Sequence, residues 1–174
     1  MATGKSTAAS KLAQLTKIPN VPMDRVRWYY YFKDGFSLER ESELSSFQEK
    51  LNYWKPFEVK AVRRILKEFP HAIIDFGAGH SYYPNEGQFE EVALLLQPLP
   101  NIFLLLPSVD KKKSLAICNQ RLAEVRQRPL EAQEIESNRD FIQHESNYRL
   151  AKHIVYSEGK TPQEVAEEIN GICV

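Results

Sequence analysis

The residues with the clearest chemical meaning stand near the start of the chain, where Gly4-Lys5-Ser6-Thr7 matches the second half of a phosphate-binding loop. The complete motif is G-x-x-x-x-G-K-[ST], and it follows a buried strand and opens a helix. A helix predicted over residues 6–15 would present the N–H groups and the positive dipole end of its first turn to an anion. Lys5 would then reach the terminal phosphates of a nucleotide, and the Ser6 hydroxyl would bind Mg²⁺. The alternative is an ordinary helix start in which Ser6 or Thr7 is a cap.

A second candidate group follows at residues 24–32, where Asp24 precedes two arginines and five consecutive aromatic residues. The proline-broken stretch over residues 17–23 predicts a loop and a brief strand that end just before Asp24. In a kinase, a carboxylate in this position orients or deprotonates a substrate hydroxyl, and an arginine such as Arg27 clamps an anionic group. The alternative is a helix that starts with Asp24 as its N-cap and buries its aromatic side. Both interpretations are compatible with each other.

A third group stands at the end of the short apolar run before residue 75, which predicts a strand buried on both faces, as in a parallel sheet. Open α/β sheets bind ligands at the carboxyl ends of their strands, so Asp75 is predicted to hold Mg²⁺ or a water bound to it. Gly77, Ala78 and Gly79 would bring backbone N–H groups close to a phosphate or a substrate oxygen. The alternative is a plain turn made by Asp75 and the glycines.

Two longer segments are predicted to border these groups. Residues 37–69 indicate a helical pair interrupted at Pro56, which is either a substrate-binding insertion or a plain pair of helices. Residues 108–136 form a basic segment that resembles a lid, and Arg121 and Arg126 are its candidates for contacting the transferring phosphate. The alternative for this segment is a solvated helix face.

The other elements follow from local signals. The stretch 86–97 predicts a packed helix that prolines end, and 101–107 predicts a second buried strand. One helix is predicted to carry the apolar residues from 141 to 151, followed by a strand over 153–156. Thr161, Pro162 and Glu164 have the spacing of a capped helix start.

Composition limits the class of protein. The chain has 174 residues, of which 43% are hydrophobic and 26% charged, as expected for one globular domain. The formal net charge of zero gives no reason to expect nucleic acid as a partner. Cys118 and Cys173 are too few for a disulfide framework, and no apolar run approaches the roughly 20 residues that span a bilayer. We therefore expect a cytoplasmic protein that does not enter membranes.

Taken in order, these segments resemble the shikimate kinase-like branch of the P-loop small-molecule kinases. The features that match are Gly4–Thr7 before a helix, Asp24 after the second strand, Asp75 with Gly77–Gly79 after the third, the cationic segment, and the final strand and helix. The resemblance implies one α/β domain over residues 1–174, with three layers and a central parallel sheet. It also implies ATP and Mg²⁺ as cofactors, bound by Gly4, Lys5, Ser6 and Thr7.

The same resemblance implies roles for the remaining candidates. Asp24 would contact the acceptor hydroxyl, an arginine of the lid would contact the phosphate, and Asp75 would join Ser6 at the metal. The family's first strand is central in its sheet, and we expect the natural chain to have that strand and a first loop glycine upstream. The expected function is phosphoryl transfer from ATP to a hydroxyl of a small metabolite. The alternatives are a catalytically impaired nucleotide-binding or regulatory module and a purely structural domain that binds a protein.

Overall fold

The computed structural model describes residues 2–173, in which short parallel strands are packed among helices. The strands are β1 (Asn20–Pro22), β2 (Ile73–Asp75), β3 (Phe103–Leu106) and β4 (His153–Tyr156). The helices are α1 (Lys5–Thr16), α2 (Met23–Lys33), α3 (Leu38–Ser42), α4 (Phe47–Glu68), α5 (Glu86–Leu96), α6 (Lys111–Arg126), α7 (Ala132–Gln143), α8 (Glu145–Leu150) and α9 (Pro162–Ile172). A single 3₁₀ turn over Gly79–Ser81 follows β2 in this part of the chain. None of these helices is long and apolar enough to cross a membrane.

The strands of residues 2–173 form two separate parallel pairs. In one pair β1 lies beside β2, with Asn20 opposite Ile73. In the other pair β3 lies beside β4, with Phe103 opposite His153. Parallel neighbours require helical crossovers, and each pair is indeed joined through helices. The single central sheet and the three layers of a P-loop kinase stay predictions.

Two apolar cores hold these elements together. The first packs α2, α4 and α5 around β1, with residues such as Tyr31, Val62 and Val92 fully buried. The second packs α1 and α9 against β3 and β4 through residues such as Leu12 and Val155. Each strand pair is therefore covered by helices that bury apolar side chains against it.

Pro56 does not interrupt α4, so the predicted break at this residue is wrong. A proline inside a helix costs about 3 kcal/mol because it removes a backbone hydrogen bond. Buried residues on both sides of it, including Leu51 and Val59, offset that cost by packing inside the protein. A capping box between Ser46 and Glu49 also fixes the start of the helix.

The single helix predicted through residues 141–151 is wrong as well, because α7 and α8 are separate helices. His144 has an extended backbone (φ −65°, ψ 129°) that ends α7. Its Nδ1 atom accepts a hydrogen bond from the backbone N–H of Ser146 at 3.2 Å, so His144 caps the start of α8. The predicted helix start at Thr161–Glu164 is confirmed, with a capping box and Pro162 in the first turn.

Candidate functional site

The start of α1 has the geometry of an anion site. Gly4 is its N-cap and has a left-handed backbone (φ 96°), which glycine adopts at little cost. The alternative in which Ser6 or Thr7 caps this helix is therefore wrong, and both residues are exposed in its first turn. Among the described residues, no side chain caps α1 and no acidic residue lies in its first turn. The N–H groups of this turn are thus available to a ligand.

Lys5, Asp75 and Arg121 come together around this helix start. The Nζ atom of Lys5 is 3.9 Å from Oδ1 of Asp75, the last residue of β2. On the other side, Nη1 of Arg121 is 3.5 Å from the carbonyl oxygen of Ala2 and would be 4.0 Å from a Cβ atom built on Gly4. Two cations and one buried carboxylate therefore surround the uncapped helix end, and such a set suits phosphate oxygens together with a divalent cation.

Arg126, the second arginine that the sequence predicts for the lid, pairs with a residue of α7. The Nε atom of Arg126 is 3.6 Å from Glu134 on α7, and its side chain is largely exposed. Arg128 donates to the same carboxylate at 2.9 Å. Arg121 is thus the predicted lid residue that lies beside Gly4 at the start of α1, while Arg126 pairs with α7.

Asp24 and Arg27 lie on a neighbouring cavity of about 270 Å³, together with Ala78 and Gly79. Asp24 is in the first turn of α2 behind Pro22, which takes the N-cap position, so the N-cap alternative for Asp24 is wrong. Asp24 Oδ1 is 3.9 Å from Nη1 of Arg27. The segment 37–69, which the sequence offered as a possible substrate-binding insertion, contributes Phe47, Gln48, Leu51, Trp54 and Glu58 to the cavity. The other lining residues were not predicted from the sequence; they are Tyr82, Ser137, Asp140 and Phe141.

Gly77 lies between the cavity and the start of α1. A Cβ atom on Gly77 would collide with the Asp24 carboxylate and would lie 2.8 Å from Nδ1 of His80, so only glycine fits here. Asp75 stands two positions earlier in the chain, beside Lys5. The predicted site residues on β2, α1 and α2 therefore meet at the carboxyl end of β2.

Two donors on the cavity have no partner within residues 2–173. These are Nε of Arg27 and Nε1 of Trp54, and both atoms are buried. Buried donors in folded proteins are almost always paired, so an unpaired donor on a cavity wall requires an explanation. Because both atoms are closed off from solvent, a ligand in the cavity would reach them only after neighbouring side chains move.

A buried ion pair on α4 positions the turn beside the cavity. Lys55 Nζ donates to Glu58 at 2.5 Å and to the carbonyl oxygen of Gly79 at 2.7 Å. Glu58 in turn lies against Gly79, where a Cβ atom would collide with the carboxylate. Burial lowers the pKa of Lys55 and raises the pKa of Glu58, because both side chains lose their contact with water. The burial of Lys55 and Glu58 had a signal in the sequence, since residues 51, 55, 58 and 62 share one helix face.

His80 belongs to the 3₁₀ turn after β2, and its ring lies beside Tyr31 of the first core. Its side chain is completely buried, with Nε2 3.2 Å from the hydroxyl of Tyr31 and Nδ1 without a partner in the described part of the chain. Burial lowers the pKa of His80 to about 3, and the positive charge of Arg27 acts in the same direction. The imidazole is therefore neutral at physiological pH.

This depressed pKa predicts that acid destabilises the protein. As the pH falls below the ordinary value of about 6.5 for histidine, the unfolded chain binds a proton that folded His80 does not bind. Stability from this group is present above pH 6.5 and is lost toward pH 3, at up to about 1.4 kcal/mol per pH unit. Urea unfolding of the wild type and of His80→Gln between pH 7 and pH 4 measures this slope.

We expect the slope to be smaller in His80→Gln than in the wild type. His71→Gln, which changes an exposed histidine, is the control and should keep the wild-type slope. Equal slopes in all three proteins would contradict a buried, neutral His80.

Comparison with known protein families and curated proteins assigns no family to this chain. No protein-family profile matches the chain, and no curated protein is significantly similar to it. Within residues 2–173, no cluster of three or more His, Cys, Asp or Glu side chains could hold a metal ion. Mg²⁺ at this site would accordingly depend on the hydroxyl of Ser6, the carboxylate of Asp75 and the phosphate oxygens of a nucleotide.

Proposed function

We propose that the protein is a small-molecule kinase, which binds ATP with Mg²⁺ and transfers a phosphoryl group to a hydroxyl of a small metabolite. The observation that carries this proposal is the meeting of Lys5, Asp75 and Arg121 at the uncapped start of α1. The acceptor cavity lies beside this group, because Gly77 joins both parts of the site. Such an enzyme would work in the cytoplasm, where ATP is present.

The nucleotide side of the site uses the first turn of α1. The backbone N–H groups of residues 4–7 donate to phosphate oxygens, and Lys5 neutralises part of their charge. Ser6 and Asp75 would hold Mg²⁺, which supplies further neutralisation of the phosphate charge when it is bound. Arg121 lies beside Gly4 and would contact the phosphoryl group as negative charge spreads over its oxygens.

The acceptor side uses the cavity of about 270 Å³. Asp24 orients the acceptor hydroxyl and takes its proton, and Arg27 contacts an anionic or oxygen-rich part of the same molecule. Ala78 and Gly79 form the neighbouring wall, and Gly77 lies just behind Asp24. The volume suits one small metabolite.

A second candidate is a nucleotide-binding or regulatory module that does not turn over. The observation that favours it is the ion pair between Arg126 and Glu134, which engages one of the two predicted lid arginines. Both residues of this ion pair lie within the lid, residues 108–136. In a kinase the pair would have to break as the lid moves, so that Arg126 could reach the phosphate. Both candidates bind ATP at the same place, so turnover distinguishes them.

Calorimetry with ATP and Mg²⁺ tests the shared part of both candidates. We expect Lys5→Ala to weaken binding about 10- to 100-fold, because a hydrogen bond to a charged group contributes about 1.5–3 kcal/mol. Lys11→Ala, on the same helix, is the matched control and should leave the affinity unchanged. Release of ADP in a screen of hydroxylated metabolites supports the kinase, whereas binding without release supports the module. Absence of binding by the wild type would refute both.

A further inference from the structure

Among the described residues, one carboxylate on the cavity of about 270 Å³ has no cation paired with it. The charged residues of the lining are Asp24, Arg27, Glu58 and Asp140. Arg27 lies 3.9 Å from Asp24, and Glu58 forms an ion pair with the buried Lys55. Within residues 2–173, the side chain of Asp140 forms neither an ion pair nor a hydrogen bond. The two pairs cancel in charge, so the cavity keeps the negative charge of Asp140.

A second cavity of about 470 Å³ adjoins the first at Asp140, which lines both. The other charged residues on it are Glu86, Glu145 and Arg149, and Glu86 forms an ion pair with Arg149 at 2.6 Å. Burial lowers the pKa of His144 on the same cavity, so its imidazole is neutral at pH 7. Glu145 therefore adds a further negative charge on this side, and the potential around Asp140 attracts cations.

Aromatic rings stand next to the carboxylate of Asp140. Phe141 follows Asp140 in the chain, and its ring centroid is 5.3 Å from that of Tyr82. Trp54 and Phe47 complete the aromatic part of the lining. The faces of such rings attract an ammonium group, and a carboxylate beside them adds the opposite charge. Asp140 is an exposed residue, so a ligand from solution reaches this carboxylate directly.

The charges on the cavity distinguish between classes of acceptor. A carboxylate or phosphate on the acceptor would bring another negative charge toward Asp140, while Arg27 is already shared with Asp24. A neutral polyol would leave Asp140 without an opposite charge. A protonated amine would supply that charge, and an oxygen of the same molecule could still face Arg27.

We propose that the acceptor is an amino alcohol, whose hydroxyl lies at Asp24 and whose protonated amine lies at Asp140 beside the rings of Tyr82 and Phe141. The placement of the hydroxyl rests on the proposed kinase function. The amine site is a binding property of the chain without ATP. Asp140 is thus a residue that determines specificity, and it does not touch the reacting oxygen.

The amine also affects which atom is phosphorylated. The acceptor oxygen bonds to the γ-phosphorus of ATP as the bond from this phosphorus to the leaving oxygen of ADP breaks, and Asp24 takes the hydroxyl proton. The nitrogen keeps its proton at Asp140 and has no lone pair for attack on phosphorus. The product is therefore a phosphate ester of the oxygen and not a phosphoramidate.

Three compounds with one carbon skeleton test the amine site: aminopropanediol, glycerol and glycerate. Their dissociation constants at pH 7 without nucleotide are measured from the amide chemical shifts of Ala78 and Gly79, which line the cavity. We expect the wild type to bind aminopropanediol about 10-fold more tightly than glycerol, because an ammonium–carboxylate contact is added. Glycerate should bind most weakly, and added salt should reduce the preference for the amine.

Asp140→Asn removes the charge and keeps the shape of the side chain. It should bind aminopropanediol no more tightly than glycerol and should keep the wild-type affinity for glycerol within about twofold. Glu136→Gln is the matched control, because it removes one negative charge from the same helix at a residue that pairs with Arg139 and does not line the cavity. This control should keep the wild-type preference for the amine.

The inference is wrong if the wild type does not bind aminopropanediol, or if glycerol or glycerate binds as tightly. An equal loss of preference in Glu136→Gln would also overturn it, because the effect would then come from net charge alone. In the ADP-release assay, turnover of glycerol or glycerate ahead of aminopropanediol would overturn it while supporting a kinase. If the wild type binds the amine at Asp140 but does not bind ATP, the kinase proposal fails and the amine site stands.

Discussion

Replacing Lys55 with methionine is expected to lower the free energy of unfolding by about 3–5 kcal/mol, the cost of breaking a buried ion pair by removing one partner. Lys55 is 2% exposed and Glu58 is also 2% exposed, so water cannot replace the lost partner of the carboxylate. The carbonyl oxygen of Gly79 would lose its donor too. Urea unfolding at pH 7 measures the change.

Lys60→Met is the matched control, because Lys60 is an exposed lysine of the same helix. Its effect should stay within about 0.5 kcal/mol, as for most surface changes. The double variant Lys55→Met/Glu58→Leu should recover much of the lost stability, since apolar residues of similar volume often replace a buried pair without loss. A cost for Lys55→Met no larger than that for Lys60→Met would contradict a buried pair.

Under the proposed kinase function, replacing Asp24 with asparagine is expected to reduce phosphoryl transfer about 10²- to 10⁴-fold, the usual contribution of a positioned acid or base. Asparagine keeps the shape of the side chain but does not take a proton from the acceptor hydroxyl. Asp24 also lies on the acceptor cavity and not at the phosphate loop, so ATP affinity should change by less than about threefold. The rate is measured as ADP release with the best acceptor of the metabolite screen.

Lys5→Ala is the comparison, because it is expected to change ATP affinity more than Asp24→Asn does. It should weaken ATP binding, whereas Asp24→Asn should reduce the rate with bound ATP. If Asp24→Asn kept full turnover with saturating ATP and acceptor, the role of Asp24 as the group that takes the proton would be wrong. If it lost ATP binding instead, the acceptor cavity and the nucleotide site would not be separate.

Local sequence signals predicted those elements whose ends depend on near neighbours. The start of α9 follows from Thr161, Pro162 and Glu164, which interact within one turn. The continuity of α4 through Pro56 and the break at His144 depend on packing and on one side-chain cap. A single sequence does not display such tertiary effects, and for this reason both predictions failed.

The proximity of some candidate residues was predictable where the strand-end rule applied. Lys5 meets Asp75, and Asp24 meets Gly77, because residues after parallel strands collect at one edge. The position of Arg126 depends on an ion pair with Glu134, eight residues further along on another helix, which no local pattern specifies. The pair of Lys55 with Glu58 was missed because charged residues are usually assigned to the solvated face of a helix.

The two cores are joined by shared elements. The strand β2 contributes to both cores, since Ile74 packs on the first and Ile73 on the second. The helix α1 also joins them, because it contacts β1 and β2 while its Ala8 and Leu12 are buried in the second core. An anion at the start of α1 would attract Lys5, which lies beside Asp75 of β2, and Arg121 of α6, which lies beside Gly4. Binding at this site would then hold β2 and α6 together at the start of α1, and its binding free energy would appear as added stability of the folded protein.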